Sequence, residues 1–399
     1  MSDWQQTTLG RLFSADNSKL GAHPEEPTVM SLSKYDGFVR ADDYFDKRIA
    51  SEKLDGYKSV APGGWAYSTI HIDEGAIARN NLGETGVISP MYTTLCWRGD
   101  GAALPEYAEL MVRSPRMLAE YANNARGSVN RRRSLPFKVF STIPIALPPL
   151  STQERIVEVI GAVDDQITAL DGEGESLSLV LRRRRADHMT DELVEPVRAE
   201  HAFDFSTGVR RTPERASGPY MTPYLRSANV GYGTLDLSDV LEMNFDPAER
   251  EKFGLRYGDI VVSEGSASAK AVGMPAMWRD ELPAPVCTQM TLLRLRALEG
   301  ICIPEFAFHW SMWAYESGAF LDVAGGSNIK HISAKRSKSM SVRLPSIDRQ
   351  REVVAELEAM EATLTALRAE ATRLRQVRAR LLTGLLDRTI DIRSVEQEV

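Results

Sequence analysis

The chain has 399 residues, enough for two or more separately cored domains, and its 43% hydrophobic content is that of an ordinary soluble protein. Three scattered cysteines (Cys96, Cys287, Cys302) form no C-x-x-C pair, which argues against a disulfide framework or a zinc site and predicts a reducing compartment. The net charge of −7 hides a local asymmetry: Arg113 to Lys138 holds seven basic residues and one acid, and Gly326 to Arg343 holds five basic residues and no acid. Such patches on an acidic chain can still hold phosphates.

Taken in order, the N-terminus (Met1-Ser-Asp-Trp-Gln-Gln) lacks the charged-then-apolar pattern of a secretory signal, and no apolar run approaches ~20 residues, so a cytoplasmic protein without a membrane span is expected. Residues 1–146 predict a mixed α/β or mostly β block. Trp4, Leu9 and Gly10 mark an entry strand and turn, and short runs at Val29–Leu32 and Gly37–Arg40 are bounded by turn residues. Apolar residues at helical spacing from Pro105 to Tyr121 predict a helix that Pro115 kinks or splits.

Leu147-Pro-Pro-Leu-Ser-Thr-Gln-Glu-Arg-Ile-Val then opens a long apolar heptad, and Leu344-Pro-Ser-Ile-Asp-Arg-Gln-Arg-Glu-Val-Val opens another 197 residues later. The registers run in parallel: Ile156, Ile160, Val163, Ile167, Leu170 and Leu177 match Val353, Leu357, Met360, Leu364, Leu367 and Leu374. A 4-3-4-3 spacing is the seam of a helix that packs on another helix. Helices over about 151–193 and 348–387 are predicted, with Ser151 or Asp348 as N-cap and a Ser151–Glu154 capping box in the first copy alone. Gly172 and Gly174 weaken the first helix. The second block repeats the first, with Leu255–Ser263 aligning with Val60–Ser68, so the chain is a tandem duplication.

No catalytic constellation is present: there is no [DN]-P-P-[YF] run, no G-x-x-x-x-G-K-[ST] loop and no dinucleotide fingerprint at Gly231-Tyr-Gly233. Recognition remains. Arg131, Arg132 and Arg133, and Lys330 and His331 with Lys335, Arg336 and Lys338, are candidates to neutralise phosphates. Arg79, Asn80, Asn81, Arg226 and Asn229 are of the types that contact base edges. The run Arg182–Arg185 is expected to be solvated. Two readings stay open on these residues: a non-enzymatic reader of DNA, and a coiled-coil scaffold that binds protein partners without touching DNA.

The paired Leu147-Pro-Pro-Leu…Gln153 and Leu344-Pro…Gln350 signals, with Trp4…Leu9-Gly10, Tyr57-Lys…Gly63 and Leu255…Gly258-Asp259-Ile260, resemble the specificity (S) subunits of type I restriction–modification systems, the HsdS family. The resemblance spans the chain. It implies an α+β architecture of two tandem α/β target-recognition domains (1–146 and 198–343), each followed by a helical region (147–197 and 344–399). The two helices would pair as an antiparallel coiled coil with pseudo-two-fold symmetry. It also implies a non-catalytic subunit that binds a bipartite double-stranded DNA target and two methyltransferase subunits, with a restriction/translocase subunit as a further candidate. No cofactor is implied for this chain; S-adenosylmethionine and ATP belong to the partners. Loops flanking the Gly63 and Gly258 turns are expected to face the bases. Gly64 opposite Asp259, and Ser346 opposite Pro149, are taken as drift at structural positions.

Overall fold

The computed structural model describes residues 4–16, 27–44, 54, 56–99, 101–126, 133–266, 271–326 and 330–392. The chain forms two compact units, residues 1–169 with 370–399, and residues 170–369. The contacts therefore group it otherwise than the four linear segments, because each long helix gives one half to each unit.

In unit 1 a four-stranded sheet runs in the order Phe13–Asp16, Tyr92–Trp97, Trp65–Ser68, Ile77–Arg79. A second sheet has the order Gly37–Arg40, Thr28–Ser33, Gly86–Ile88, Lys58–Val60. Gln5–Thr8 pairs with Pro144–Leu147, so the entry strand lies beside the strand that carries the Leu-Pro signal. The split helix is as expected: Pro105–Val112 ends, and Ser114 caps Pro115–Asn124 by accepting the Met117 N–H at 3.4 Å. Proline at the first helical position needs no N–H partner, so Pro115 starts a helix more readily than it continues one. Phe13, Trp65, Trp97, Tyr67, Tyr121 and Phe140 pack ring on ring in the core.

Unit 2 repeats the plan. Its main sheet has the order Phe203–Thr207, Leu292–Ala297, Ile260–Ser263, Pro275–Met277, and Pro196–Arg198 pairs with Ser341–Arg343. Leu241–Asn244, Met221–Leu225 and Cys287–Thr288 form the second sheet. Here the helix Pro304–Glu316 runs unbroken and buries Phe306, His309 and Trp310. A small sheet of Gly265–Ser266, Lys330–Ile332 and Ala324–Gly325 completes the unit.

The long helices span Leu150–Met189 and Ile347–Leu386, 40 residues each. All twelve heptad positions named from the sequence are buried or half-buried. Within unit 2, Gly174 lies against Leu364 and Arg184 pairs with Glu356 at 2.6 Å, so the helices run antiparallel. Within unit 1, Ile156 and Ile160 share a core with Leu382, Leu385 and Leu386. The helix starts need correction. The Pro149 carbonyl accepts the Thr152 and Gln153 N–H groups, and the Ser346 carbonyl accepts that of Gln350, while Ser346 Oγ accepts from Arg349. Ser151 and Asp348 therefore stand inside the first turn, and Asp348 pairs with Arg351 at 2.9 Å. The chain turns helical as soon as it leaves Pro149 and Ser346, which makes Ser346 a capping residue rather than drift.

Candidate nucleic-acid interface

The recurring glutamine of the Leu-Pro signal fixes each domain to its helix. Gln153 is fully buried; its Oε1 accepts the Leu104 N–H at 2.9 Å, and its Nε2 donates to the Ala102 and Pro148 carbonyls at 3.0 and 2.8 Å. Gln350, also fully buried, does the same with the Ile303 N–H (2.9 Å) and the Ile301 and Pro345 carbonyls (3.0 and 2.9 Å). In each unit one amide thus satisfies three backbone groups where the domain's helix begins. A side chain with both a donor and an acceptor is required, which restricts the position to glutamine-like chemistry. The repeated glutamine was visible in the sequence, but its role was not.

The strand Trp65–Ser68, and its counterpart Ile260–Ser263, has two differently built ends. At the start stands a glycine turn, with φ of +78° at Gly63 and +85° at Gly258. A Cβ on Gly258 would lie 2.7 Å from the Pro304 side chain, so this turn packs on the helix start that Gln350 holds. Asp259, 1% exposed, accepts both Nε and Nη2 of Arg296 at 2.6 Å and the Arg256 N–H at 2.9 Å. In unit 1 the strand registers put Gly64 and Cys96 at these two places. Both partners of the ion pair are absent together, so the Gly64 change is not isolated drift; a Cβ there would lie 2.9 Å from the Ala61 carbonyl oxygen.

At the other end of the strand lies a second turn, Ser89–Met91 in unit 1 and Gln289–Thr291 in unit 2, closed by Tyr92 N–H to Ser89 O (3.0 Å) and Leu292 N–H to Gln289 O (2.9 Å). In unit 2 four other segments hang on this turn. Met290 N–H donates to Val209 O, Gln289 N–H to Leu225 O, Glu264 N–H to Thr291 O, and Ser227 Oγ to Thr291 O; Ile332 N–H donates to Glu264 O. Gly208 allows the approach, since a Cβ there would lie 2.0 Å from the Thr288 carbonyl oxygen. Burial pushes the Glu264 carboxyl up, and nearby His331 opposes this.

The sequence-selected residues divide among these places. Arg131 and Arg132 lie outside the described residues. Arg133 donates to the Ala122 and Ala125 carbonyls at 2.7 and 3.0 Å, closing the end of the helix Pro115–Asn124. Arg79 pairs with Glu106 at 2.6 Å, and Asn81 donates to both oxygens of Glu109. Asn80, 1% exposed, donates to the Val60 and Glu84 carbonyls and accepts the Leu82 N–H. Asn229, 2% exposed, accepts the Arg226 N–H and donates to the Asp236 and Asp239 carbonyls. Both amides hold their own loops rather than face outward. Arg226 pairs with Asp239 at 2.5 Å. Lys330 and His331 are exposed on the small sheet, and Lys335 and Arg336 are exposed on the short helix Ala334–Ser337, where Arg336 donates to Val323 O. Lys330 and His331 therefore sit at the second-turn end, away from the Gly258 turn.

The Arg182–Arg185 run is solvated except at its end: the Arg182, Arg183 and Arg184 side chains are 53%, 82% and 44% exposed. Arg184 pairs with Glu356, and Arg182 lies over the Tyr232 ring. Arg185, 1% exposed, pairs with Glu316 at 2.5 Å and Glu361 at 2.8 Å. His309 beside them is buried, and neither ring nitrogen has a hydrogen-bond partner among the described residues. Burial first, then Arg185, Arg279 and His188, hold its pKa down to about 3, so its 3.9 Å approach to Glu361 is a contact of a neutral ring and not an ion pair. Burial raises the Glu361 carboxyl, against the pull of Arg185. Among the described residues no cluster of His, Cys, Asp or Glu could hold a metal ion, and no helix is long and apolar enough to cross a membrane.

These features define a class: duplicated α/β units, each fixed by a buried glutamine to a pair of antiparallel helices. No protein-family model matches the chain. Among curated proteins it is similar to the type I restriction enzyme EcoKI specificity subunit of Escherichia coli (strain K12), 23% identical over 242 residues, 56% of this chain and 52% of that one. The match thus spans about half the length of that relative. Among solved structures it superposes on a chain from work on complex assembly and conformational transition of the type I R-M system, with a TM-score of 0.63 and 14% identity over 96% of this chain and 97% of that one. The type I S subunit from M. genitalium gives a TM-score of 0.50 and 12% identity over 96% of both chains. The chain has the fold of the type I specificity subunits to which it is similar.

Proposed function

We propose that the chain is the DNA sequence-specificity subunit of a type I restriction–modification complex, with one half of a bipartite double-stranded target bound by each unit. The observation that carries this is the repetition itself: two domains of the same strand order, each held on the helix pair by the same three hydrogen bonds, Gln153 to Leu104, Ala102 and Pro148, and Gln350 to Ile303, Ile301 and Pro345. A duplicated reader suits a divided site, as dimeric readers suit paired half-sites. The chain itself carries out no reaction in this reading; methyl transfer belongs to two methyltransferase subunits docked on it, and a restriction/translocase subunit is a further partner. The exposed cations Lys330, Lys335 and Arg336 would contribute phosphate contacts that set position without setting sequence.

The test is co-expression of the chain with a candidate type I methyltransferase subunit, followed by mapping of methylated bases in the host DNA. A two-part motif with a fixed gap, lost when the chain is omitted, is the expected result. A complex that forms without altering methylation would instead support a protein scaffold that does not read DNA.

A further inference from the structure

The second turn recurs in both units with an unusual tip. Met91 is 70% exposed and Met290 is 41% exposed, one on Ser89–Met91 and the other on Gln289–Thr291. A single exposed apolar side chain on a surface needs no explanation. Two at the tip of the same turn of a duplicated fold are a different matter, although the strand registers set Met91 opposite Thr291 and Met290 opposite Pro90, so they stand one position apart. In unit 2 the tip also has a charged setting. Val209 is held to the turn on both sides, its N–H on Thr288 O and its carbonyl on Met290 N–H, each at 3.0 Å. Arg210 and Arg211, which follow it, are exposed and have no ion-pair partner among the described residues. Lys330 and His331 are exposed on the strand that hangs from Glu264. Glu264, at this end of the strand, is half-buried, and Asp239 is paired with Arg226.

We propose that these turns, rather than the Gly63 and Gly258 turns, are the base-reading tips of the two units, and that their occupant is duplex DNA. Met91 and Met290 make the apolar contact with base edges, and Arg210 and Arg211 grip the phosphates beside the unit 2 tip. The inference rests on the DNA-reading proposal above. Its physical basis is that thymine methyl groups are read by apolar side chains, while free guanidinium groups on an anchored segment neutralise phosphates without regard to sequence. The opposite end of the strand is poorly suited: Gly258 packs on Pro304, and Asp259 already binds Arg296 and Arg256.

The experiment selects sequences from a randomised duplex DNA library with the full chain and its Met91→Ala, Met290→Ala and Tyr257→Ala variants. Separately, binding of one selected duplex is followed against salt for the parent and for Arg210→Ala/Arg211→Ala. Met91→Ala should alter base preference in one half of the selected motif and Met290→Ala in the other, while Tyr257→Ala, exposed at the Gly258 turn, leaves the motif unchanged. Arg210→Ala/Arg211→Ala should weaken binding to all sequences and reduce the slope of log K against log salt by about 2. Unchanged motifs for both methionine variants, an altered motif for Tyr257→Ala, or an unchanged salt slope would overturn the inference. If the parent itself selects no sequence, the DNA-reading proposal fails instead.

Discussion

Where the long helices meet the domains, the two units use the same residue types in exchanged order. Asp164 and Glu361 occupy one place at the 197-residue offset, and each pairs with an arginine of the other long helix. In unit 1 that arginine is Arg378, and Leu382 follows one turn on in the core. In unit 2 the matching positions are Leu181, in the core, and Arg185. The arginine and leucine have traded places. In unit 1 the pair is partly open, with Arg378 30% and Asp164 43% exposed on a crevice of about 860 Å³. In unit 2 the arginine is 1% exposed and must satisfy Glu316 as well. An ion pair that keeps access to water contributes little, whereas removing one member of a buried set strands the rest. The same composition therefore gives one unit a tolerant seam and the other a demanding one.

The strongest way to break this comparison is to remove each arginine. Arg185→Ala should destabilise unit 2 by about 3–5 kcal/mol, since Glu361 and Glu316 lose their shared partner. Arg378→Ala should cost unit 1 below about 1 kcal/mol. Denaturant unfolding, with hydrogen exchange of the helices Pro304–Glu316 and Pro105–Val112 to separate the units, measures both. Equal losses would erase the distinction. Exchanging the pair as Leu181→Arg with Arg185→Leu, which copies the unit 1 order, should recover part of the loss.

The glutamine anchors should behave alike where the seams differ. Gln153→Ala and Gln350→Ala each leave three backbone groups without their partner, which at roughly 1 kcal/mol or more apiece predicts a loss of about 3–4 kcal/mol in either unit. A loss in one unit alone would show that the shared geometry is not a shared dependence.

His309 sharpens the comparison through pH. The imidazole of the unfolded chain takes up a proton below its ordinary value of 6.5, while the folded one stays neutral until about 3. Between those values the unfolded state binds the extra proton, so this group removes up to about 1.4 kcal/mol of unit 2 stability per unit fall in pH. Glu361, with its folded carboxyl raised by burial, acts in the opposite sense. His309→Leu, which copies Leu110 at the matching place in unit 1, should flatten the acid limb of unit 2 stability below pH 6.5; an unchanged limb would mean that the imidazole does not contribute. The smallest effect is expected in the first long helix. A Cβ at Gly174 meets Leu364 at an ordinary 3.8 Å, and one at Gly172 meets nothing within 4 Å. Gly172→Ala and Gly174→Ala should each raise stability by about 0.5–1 kcal/mol in thermal unfolding.

The sequence by itself determined the duplication, the two long helices with their apolar register, the split at Pro115 and the family resemblance. These follow from local rules: heptad spacing, proline geometry and turn residues act over a few positions and leave their mark in order along the chain. Only the tertiary structure decided which polar residues are free to act. Arg185 looked like part of a solvated run until Glu316 and Glu361, 131 and 176 residues away, closed around it. Asn80 and Asn229 looked like base-edge ligands beside turns, and the folded loops bury both amides. The Gly258 turn and Lys330–His331 lie at opposite ends of the strand Ile260–Ser263, a separation that their places in the sequence do not reveal. Exposure and partnership depend on residues remote in sequence, and no local pattern records them.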